Sequence, residues 1–171
     1  APLMAAEAAL RAGAGMVSVV TRPAHRPAIL ARRPEVMVVD GGDDAARRAV
    51  LDKARVLVVG PGLGDGDWGR SLLETALARP VPTVLDADGL NLFAAHGISA
   101  AGPLVVTPHV AEAARLLDRD VAAVQQDRPG AVRDLAERVR GVAVLKGAGT
   151  LIGAWRGAQP RLLGVCAEGN P

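Results

Sequence analysis

The sequence holds a single cysteine, Cys166, so no internal disulfide can form. Its neighbours are small and apolar, with no histidine nearby to activate it, and it reads as a structural thiol rather than a nucleophile. No apolar run approaches the roughly 20 residues that a membrane span requires. The opening Ala1-Pro2-Leu3-Met4 lacks a basic stretch ahead of a signal-type apolar segment. A soluble, cytoplasmic protein without a membrane partner is therefore expected. Charge of one sign is also scarce: 20 basic and 18 acidic residues leave a formal +2, and the two kinds are interspersed. With no polybasic patch, nucleic acid is not the expected partner.

Lysine is nearly missing. Only Lys53 and Lys146 are present, against a background of arginine. A lysine kept in such a background is a candidate for a site that needs a compact point charge with rotatable donors, as phosphate sites do. Lys53 falls near the end of a predicted helix, where the dipole alone accounts for a cation. Lys146 has no such account and marks a candidate site.

What is abundant is apolar surface. Half of the 171 residues are hydrophobic, enough for one globular domain with a substantial core, and no repeat or linker divides the chain. An alanine-rich helix is expected over 3–12, stopped by Gly13 and Gly15 and followed by a β-branched strand over 16–21. The alternation continues, with strands expected at 35–39, 55–59, 83–85, 104–107 and 142–146. Helices are expected at 44–54, 67–79, 90–95, 111–117 and 131–139. Strands that are apolar throughout and alternate with helices imply a mostly parallel sheet covered on both faces. The segments 150–154 and 161–165, joined by a Gly-containing turn, are expected to form an edge hairpin.

In such a sheet, ligands bind beyond the carboxyl ends of the strands, and four strand ends here carry chemistry. The first is Gly60-Pro61-Gly62-Leu63-Gly64-Asp65-Gly66, a glycine loop leading into a helix. It lets backbone approach a ligand, or it is simply a tight turn, since it has neither Walker A spacing nor the dinucleotide fingerprint. Next comes Leu85-Asp86-Ala87-Asp88-Gly89-Leu90-Asn91. Its carboxylates, Asp86 and Asp88, are candidates for holding Mg²⁺ or substrate hydroxyls, while the bland reading makes Asp88 a helix cap. Thr107-Pro108-His109-Val110-Ala111-Glu112 sets a histidine and a glutamate at a helix start. Finally, in Leu145-Lys146-Gly147-Ala148-Gly149-Thr150, lysine and two glycines can close on nucleotide phosphates or form a plain hairpin turn.

These strings, together with Ala9-Leu10-Arg11-Ala12-Gly13-Ala14-Gly15-Met16-Val17, resemble in order and spacing the ADP-dependent NAD(P)H-hydrate dehydratases, which have a ribokinase-like fold. The resemblance covers essentially the whole chain. It implies a three-layer α/β ribokinase-like fold with a mostly parallel sheet, helices on both faces and a small edge hairpin. It places Gly62 and His109, and more weakly Gly64 and Asn91, against the hydrated nicotinamide nucleotide. Lys146, Gly147, Ala148, Gly149 and Thr150 fall against ADP or ATP. Mg²⁺ is implied as a cofactor, and a homo-oligomer and fusion to, or partnership with, an NAD(P)H-hydrate epimerase as assemblies.

Two departures from the family pattern stand out. Val110-Ala111-Glu112 replaces the family's Pro-Gly-Glu after the histidine. The chain ends at Gly169-Asn170-Pro171, where the family continues into a glycine-rich stretch ending in Gly-Asp that supplies the anion hole and the aspartate base. The expectation is therefore one nucleotide-binding domain over 1–171, clipped at both ends, with no certain catalytic residue of its own. The implied reaction restores NAD(P)H from the S form of its hydrate, releasing AMP and phosphate. Two other readings stay open: a ribokinase-like kinase of a small alcohol, and a non-catalytic nucleotide-binding protein.

Overall fold

The computed structural model describes residues 1–168. The end Gly169-Asn170-Pro171, where the departure from the family pattern falls, lies outside the described residues. The chain forms two compact units, Ala1–Arg55 and a second from Val56 onward.

The first unit opens with helix α1 (Pro2–Arg11), with proline in its first turn, where a missing N–H costs nothing. Strands β1 (Ser18–Thr21) and β2 (Met37–Asp40) pair in parallel, with Ser18 opposite Met37. The crossover between them contains a 3-10 turn at Pro23–His25 and helix α2 (Arg26–Arg32), which were not expected from the sequence. Helix α3 (Asp44–Leu51) follows, capped by the Asp43 carboxylate, which accepts from the N–H groups of Ala45 and Ala46. Ala6, Val19, Ile29 and Val36 form this unit's small core.

The second unit carries a six-stranded sheet in sequential order: β3 (Leu57–Val59), β4 (Thr83–Leu85), β5 (Leu104–Val106), β6 (Val142–Leu145), β7 (Thr150–Arg156) and β8 (Gln159–Cys166). The first four strands are parallel and the last two antiparallel. Helices α4 (Asp67–Leu77) and α5 (Asp88–His96) make the first two crossovers. Three helices, α6 (Val110–Leu117), α7 (Val121–Gln126) and α8 (Arg128–Val139), make the third. Alternation along the strands gives the core: Thr83, Leu85, Leu104, Val106, Ala143 and Leu145 are buried, whereas Val84, Val105 and Val144 between them are half-buried. Leu73, Leu77, Leu90, Leu116, Val132 and Leu135 close over the buried side chains from the helices. Each such leucine stabilises by about 1.5–3 kcal/mol relative to leaving it in water.

The expected strand over 55–59 is shorter than the sequence implies and is not buried throughout, because β3 is the edge of its sheet and leaves Val58 exposed. The expected hairpin forms. Its turn, Gly157-Ala158, has positive φ at both positions, as the right-handed twist of a two-residue hairpin demands. Among the described residues no helix is long and apolar enough to cross a membrane.

Candidate functional site

The ends of β4, β5 and β6 deliver their polar residues to one place. β4 runs out at Leu85, and Asp86 accepts a hydrogen bond at Oδ1 from the Thr107 hydroxyl at 2.9 Å, just past the end of β5. Lys146, the first residue after β6, donates from Nζ to the same Oδ1 at 2.6 Å. The backbone N–H of Lys146 donates to the Pro108 carbonyl, so both the main chain and the side chain of this lysine are fixed by neighbouring strand ends. Burial pushes the Asp86 carboxyl up. The Lys146 ammonium, the Thr107 hydroxyl and the N–H of Ala87 more than offset this and hold it below its ordinary value.

Glu112 completes the cluster. Its carboxylate is buried, yet Oε2 accepts from the His109 backbone N–H at 2.8 Å and lies 3.9 Å from Lys146 Nζ. A buried carboxylate without such partners would be expensive. His109 caps α6 with its ring: Nδ1 accepts from the N–H groups of Ala111 and Glu112 at 3.1 and 3.3 Å. Those donors need the Nδ1 lone pair, which puts the ring proton on Nε2, 3.3 Å from Glu112 Oε1. Histidine thus takes the part that serine or threonine plays in a capping box.

A cavity of about 520 Å³ opens between α6 and the loop after β6, in the size range of small-molecule sites. His109, Lys146, Gly147 and Thr150 supply its polar side, and Val110, Ala111 and Val121 its apolar side. Of the residues singled out in the sequence, these four polar ones therefore share a single cavity. Ala148 and Gly149 are neighbours in the same loop, where Gly147 and Gly149 have φ of +143° and +67°.

The glycine loop reaches the cluster indirectly. Asp88 Oδ2 accepts from the Gly64 N–H at 2.8 Å, so Asp88 ties that loop to the start of α5 instead of capping the helix, and the Gly64 amide is engaged within the chain. Gly62 and Gly64 have φ of +70° and +79°, a conformation that favours glycine. Between the two aspartates, Ala87 has φ +49°, a strained value for a residue with a Cβ, and this kink sends Asp86 and Asp88 to different partners. Asn91 is set apart: its Oδ1 accepts from Arg115 at 3.1 Å.

Two structural roles escaped the sequence, the packing of Gly60 on Gly89 and the reach of Arg128 under the loop. Gly60 and Gly89 pack backbone against backbone, since a Cβ on Gly60 would collide with the Asp86 carbonyl and one on Gly89 would press on Val59. Arg128, at the start of α8, donates from Nη1 to the Ala148 carbonyl at 2.7 Å. A cation in the first turn of a helix opposes the dipole, and that anomaly was the available signal. For a metal, the described residues contain no group of three or more His, Cys, Asp or Glu side chains able to hold it. Asp86 and Asp88 point to Lys146 and Gly64 respectively, so they do not form a joint chelate.

The profile of the NAD(P)H-hydrate dehydratase family matches residues 1–163. The chain is 48% identical over 170 residues to a bifunctional NAD(P)H-hydrate repair enzyme of Coxiella burnetii, covering 98% of this chain and 33% of that protein. It is 40% identical over 160 residues to an ADP-dependent (S)-NAD(P)H-hydrate dehydratase of Neisseria meningitidis, covering 89% of this chain and 53% of that protein. Among solved structures, a ribokinase-like superfamily protein of Enterococcus faecalis superposes with a TM-score of 0.82 at 27% identity, over 92% of this chain and 56% of that one. An ADP/ATP-dependent NAD(P)H-hydrate dehydratase of Bacillus subtilis, co-crystallised with ATP and Mg²⁺, gives 0.76 at 26% identity, over 94% and 57%. The chain thus spans between a third and three-fifths of the length of these relatives. With its α/β ribokinase-like fold and a family profile matched over nearly its whole length, the chain belongs to the NAD(P)H-hydrate dehydratase family.

Proposed function

We propose that this chain binds ADP and hydrated NADH or NADPH as part of an ADP-dependent (S)-NAD(P)H-hydrate dehydratase, a metabolite-repair lyase that releases NAD(P)H, AMP and phosphate. The observation that carries the reading is the Lys146 ammonium, anchored by Asp86 at 2.6 Å and set on a cavity beside a loop with two positive-φ glycines. An anchored cation beside backbone amides is what a nucleotide phosphate requires. ADP is the donor named for the Neisseria relative, and ATP with Mg²⁺ is what the Bacillus protein was crystallised with.

The proposed division of labour follows the cavity. The loop 146–150 takes the nucleotide, with Lys146 countering phosphate charge. His109, which lines the cavity with its Nε2 held 3.3 Å from Glu112 Oε1, borders the hydrate side, and the glycine loop with Gly62 and Gly64 is assigned to the same substrate; Asn91, engaged by Arg115, is the weakest member of that set. Hydroxide is a poor leaving group from the reduced ring, and phosphate is a good one, which is the reason a dehydration consumes a phosphoryl donor. Most of the catalysis in such a transfer is positioning and charge stabilisation. In this chain, that work falls to Lys146 and the amides beside it. Mg²⁺ would arrive with the nucleotide rather than be caged by protein alone, and Asp86 is the carboxylate that could meet it, directly or through water. Both compact units belong, in this proposal, to one ribokinase-like domain that acts as a homo-oligomer in the cytoplasm. The repair enzymes named as bifunctional are the ground for an epimerase fused to it or working beside it.

Product analysis tests the reaction. Incubated with the S hydrate and ADP, the full-length protein is expected to yield NADH together with AMP and inorganic phosphate in equal amounts. A phosphorylated alcohol that accumulates instead would overturn the lyase reading in favour of a kinase.

A further inference from the structure

The loop at 146–150 is held from behind by Arg128. Besides the 2.7 Å bond to the Ala148 carbonyl, Nη2 lies 3.4 Å from the carbonyls of both Leu145 and Lys146. A Cβ on Gly147 would come within 3.0 Å of that same nitrogen, so glycine at this position lets the guanidinium reach under the loop. The arrangement does nothing for α8 itself. A cation in a helix's first turn opposes the dipole. Its Nε is buried with no hydrogen-bond partner among the described residues, a further cost. The capping of α8 is done by Asp127, which accepts from the Gly130 N–H at 2.8 Å.

We infer that Arg128 is the positioning residue of the nucleotide site: by drawing the loop's carbonyls to one side, it turns the loop's amides to the other, toward the phosphates. In a trans peptide, a carbonyl and the following N–H point in opposite directions. Carbonyls of Lys146 and Ala148 facing Arg128 therefore put the N–H groups of Gly147 and Gly149 on the opposite side. Without the guanidinium, carbonyl oxygens are free to rotate toward the anion, and an attractive wall becomes a repulsive one. A lysine could satisfy one carbonyl but not the fork of three, because its ammonium is a point donor. The inference rests on the reading of 146–150 as the ADP site. It adds a residue 18 positions upstream of Lys146 that does not itself face the cavity.

Calorimetric titration of ADP into the full-length protein and its R128A and R128K variants tests this, with KM for the hydrate measured in parallel. R128A is expected to raise the Kd for ADP about tenfold, the worth of one strong hydrogen bond. KM for the hydrate should stay within about twofold. R128K should keep the melting temperature yet remain weak for ADP, and added guanidinium should restore part of the affinity of R128A. An ADP Kd within about twofold of wild type in either folded variant would overturn the inference. So would equal losses for both ligands without guanidinium rescue, which mark a general structural support. If wild type itself fails to bind ADP, the nucleotide site and the inference fall together. If ADP binds and Arg128 matters but no hydrate turns over, the inference stands and the dehydratase reading fails.

Discussion

At the residue scale, Lys146 is held by Asp86 at 2.6 Å, which fixes its charge at one point on the cavity wall. His109 has two jobs that an alanine substitution would confuse, the α6 cap and the border of the cavity. Asparagine separates them, because it caps as well as the best residues do, whereas losing a cap costs about 1 kcal/mol. His109→Asn is therefore expected to melt within a few degrees of wild type and to raise KM for the hydrate more than KM for ADP. Unchanged kinetics would make the histidine a cap and nothing more. Asp86 carries a pH signature. Its folded value is depressed, so its stabilising contribution is present above the ordinary carboxylate value of 3.8 and is lost as pH falls through the lower folded value. Chemical denaturation of wild type and Asp86→Asn across the acid range should show the wild-type advantage shrinking below about pH 4. An advantage that does not change with pH would mean that the contact with Lys146 contributes no charge stabilisation.

At the scale of elements, periodicity and turn signals located all eight strands and six of the eight α-helices among the described residues. The misses have physical causes. In α2 a proline follows Arg26 and only Ile29 is buried, and in α7 only Val124 is, so neither shows an amphipathic stripe. The contacts that join elements left no local trace, since Asp88 meets Gly64 across 24 residues and Lys146 meets Asp86 across 60. The crossing of Gly60 over Gly89 belongs to this scale as well. There the turn after β3 packs directly on the turn after β4. Gly60→Ala puts a Cβ into the Asp86 carbonyl at a φ of +127°, and is expected to cost about 2–3 kcal/mol or more. Because the strain is delivered at Asp86, ADP binding should weaken in the same variant. A melting temperature equal to wild type would show that the crossing has slack.

At the scale of the whole molecule, the order of chemistry along the chain is explained by the sheet. In the second unit's sheet, the sequential parallel strands β3 to β6 put the turns that follow them on one edge, so residues far apart in sequence collect there without any long-range signal in the sequence. The motif order was legible, but which motif touches which was not. If this edge is an ADP site serving a dehydration, the initial rate of NADH formation from the S hydrate depends on ADP concentration, and the dependence can be measured for the full-length protein and its Lys146→Ala variant. No NADH should form without a nucleotide. A hydrogen bond to a charged group contributes about 1.5–3 kcal/mol, so the Lys146→Ala curve should be displaced to ADP concentrations about 10–100 times higher. NADH formation independent of ADP, or two curves that superpose, would contradict that reading of the edge.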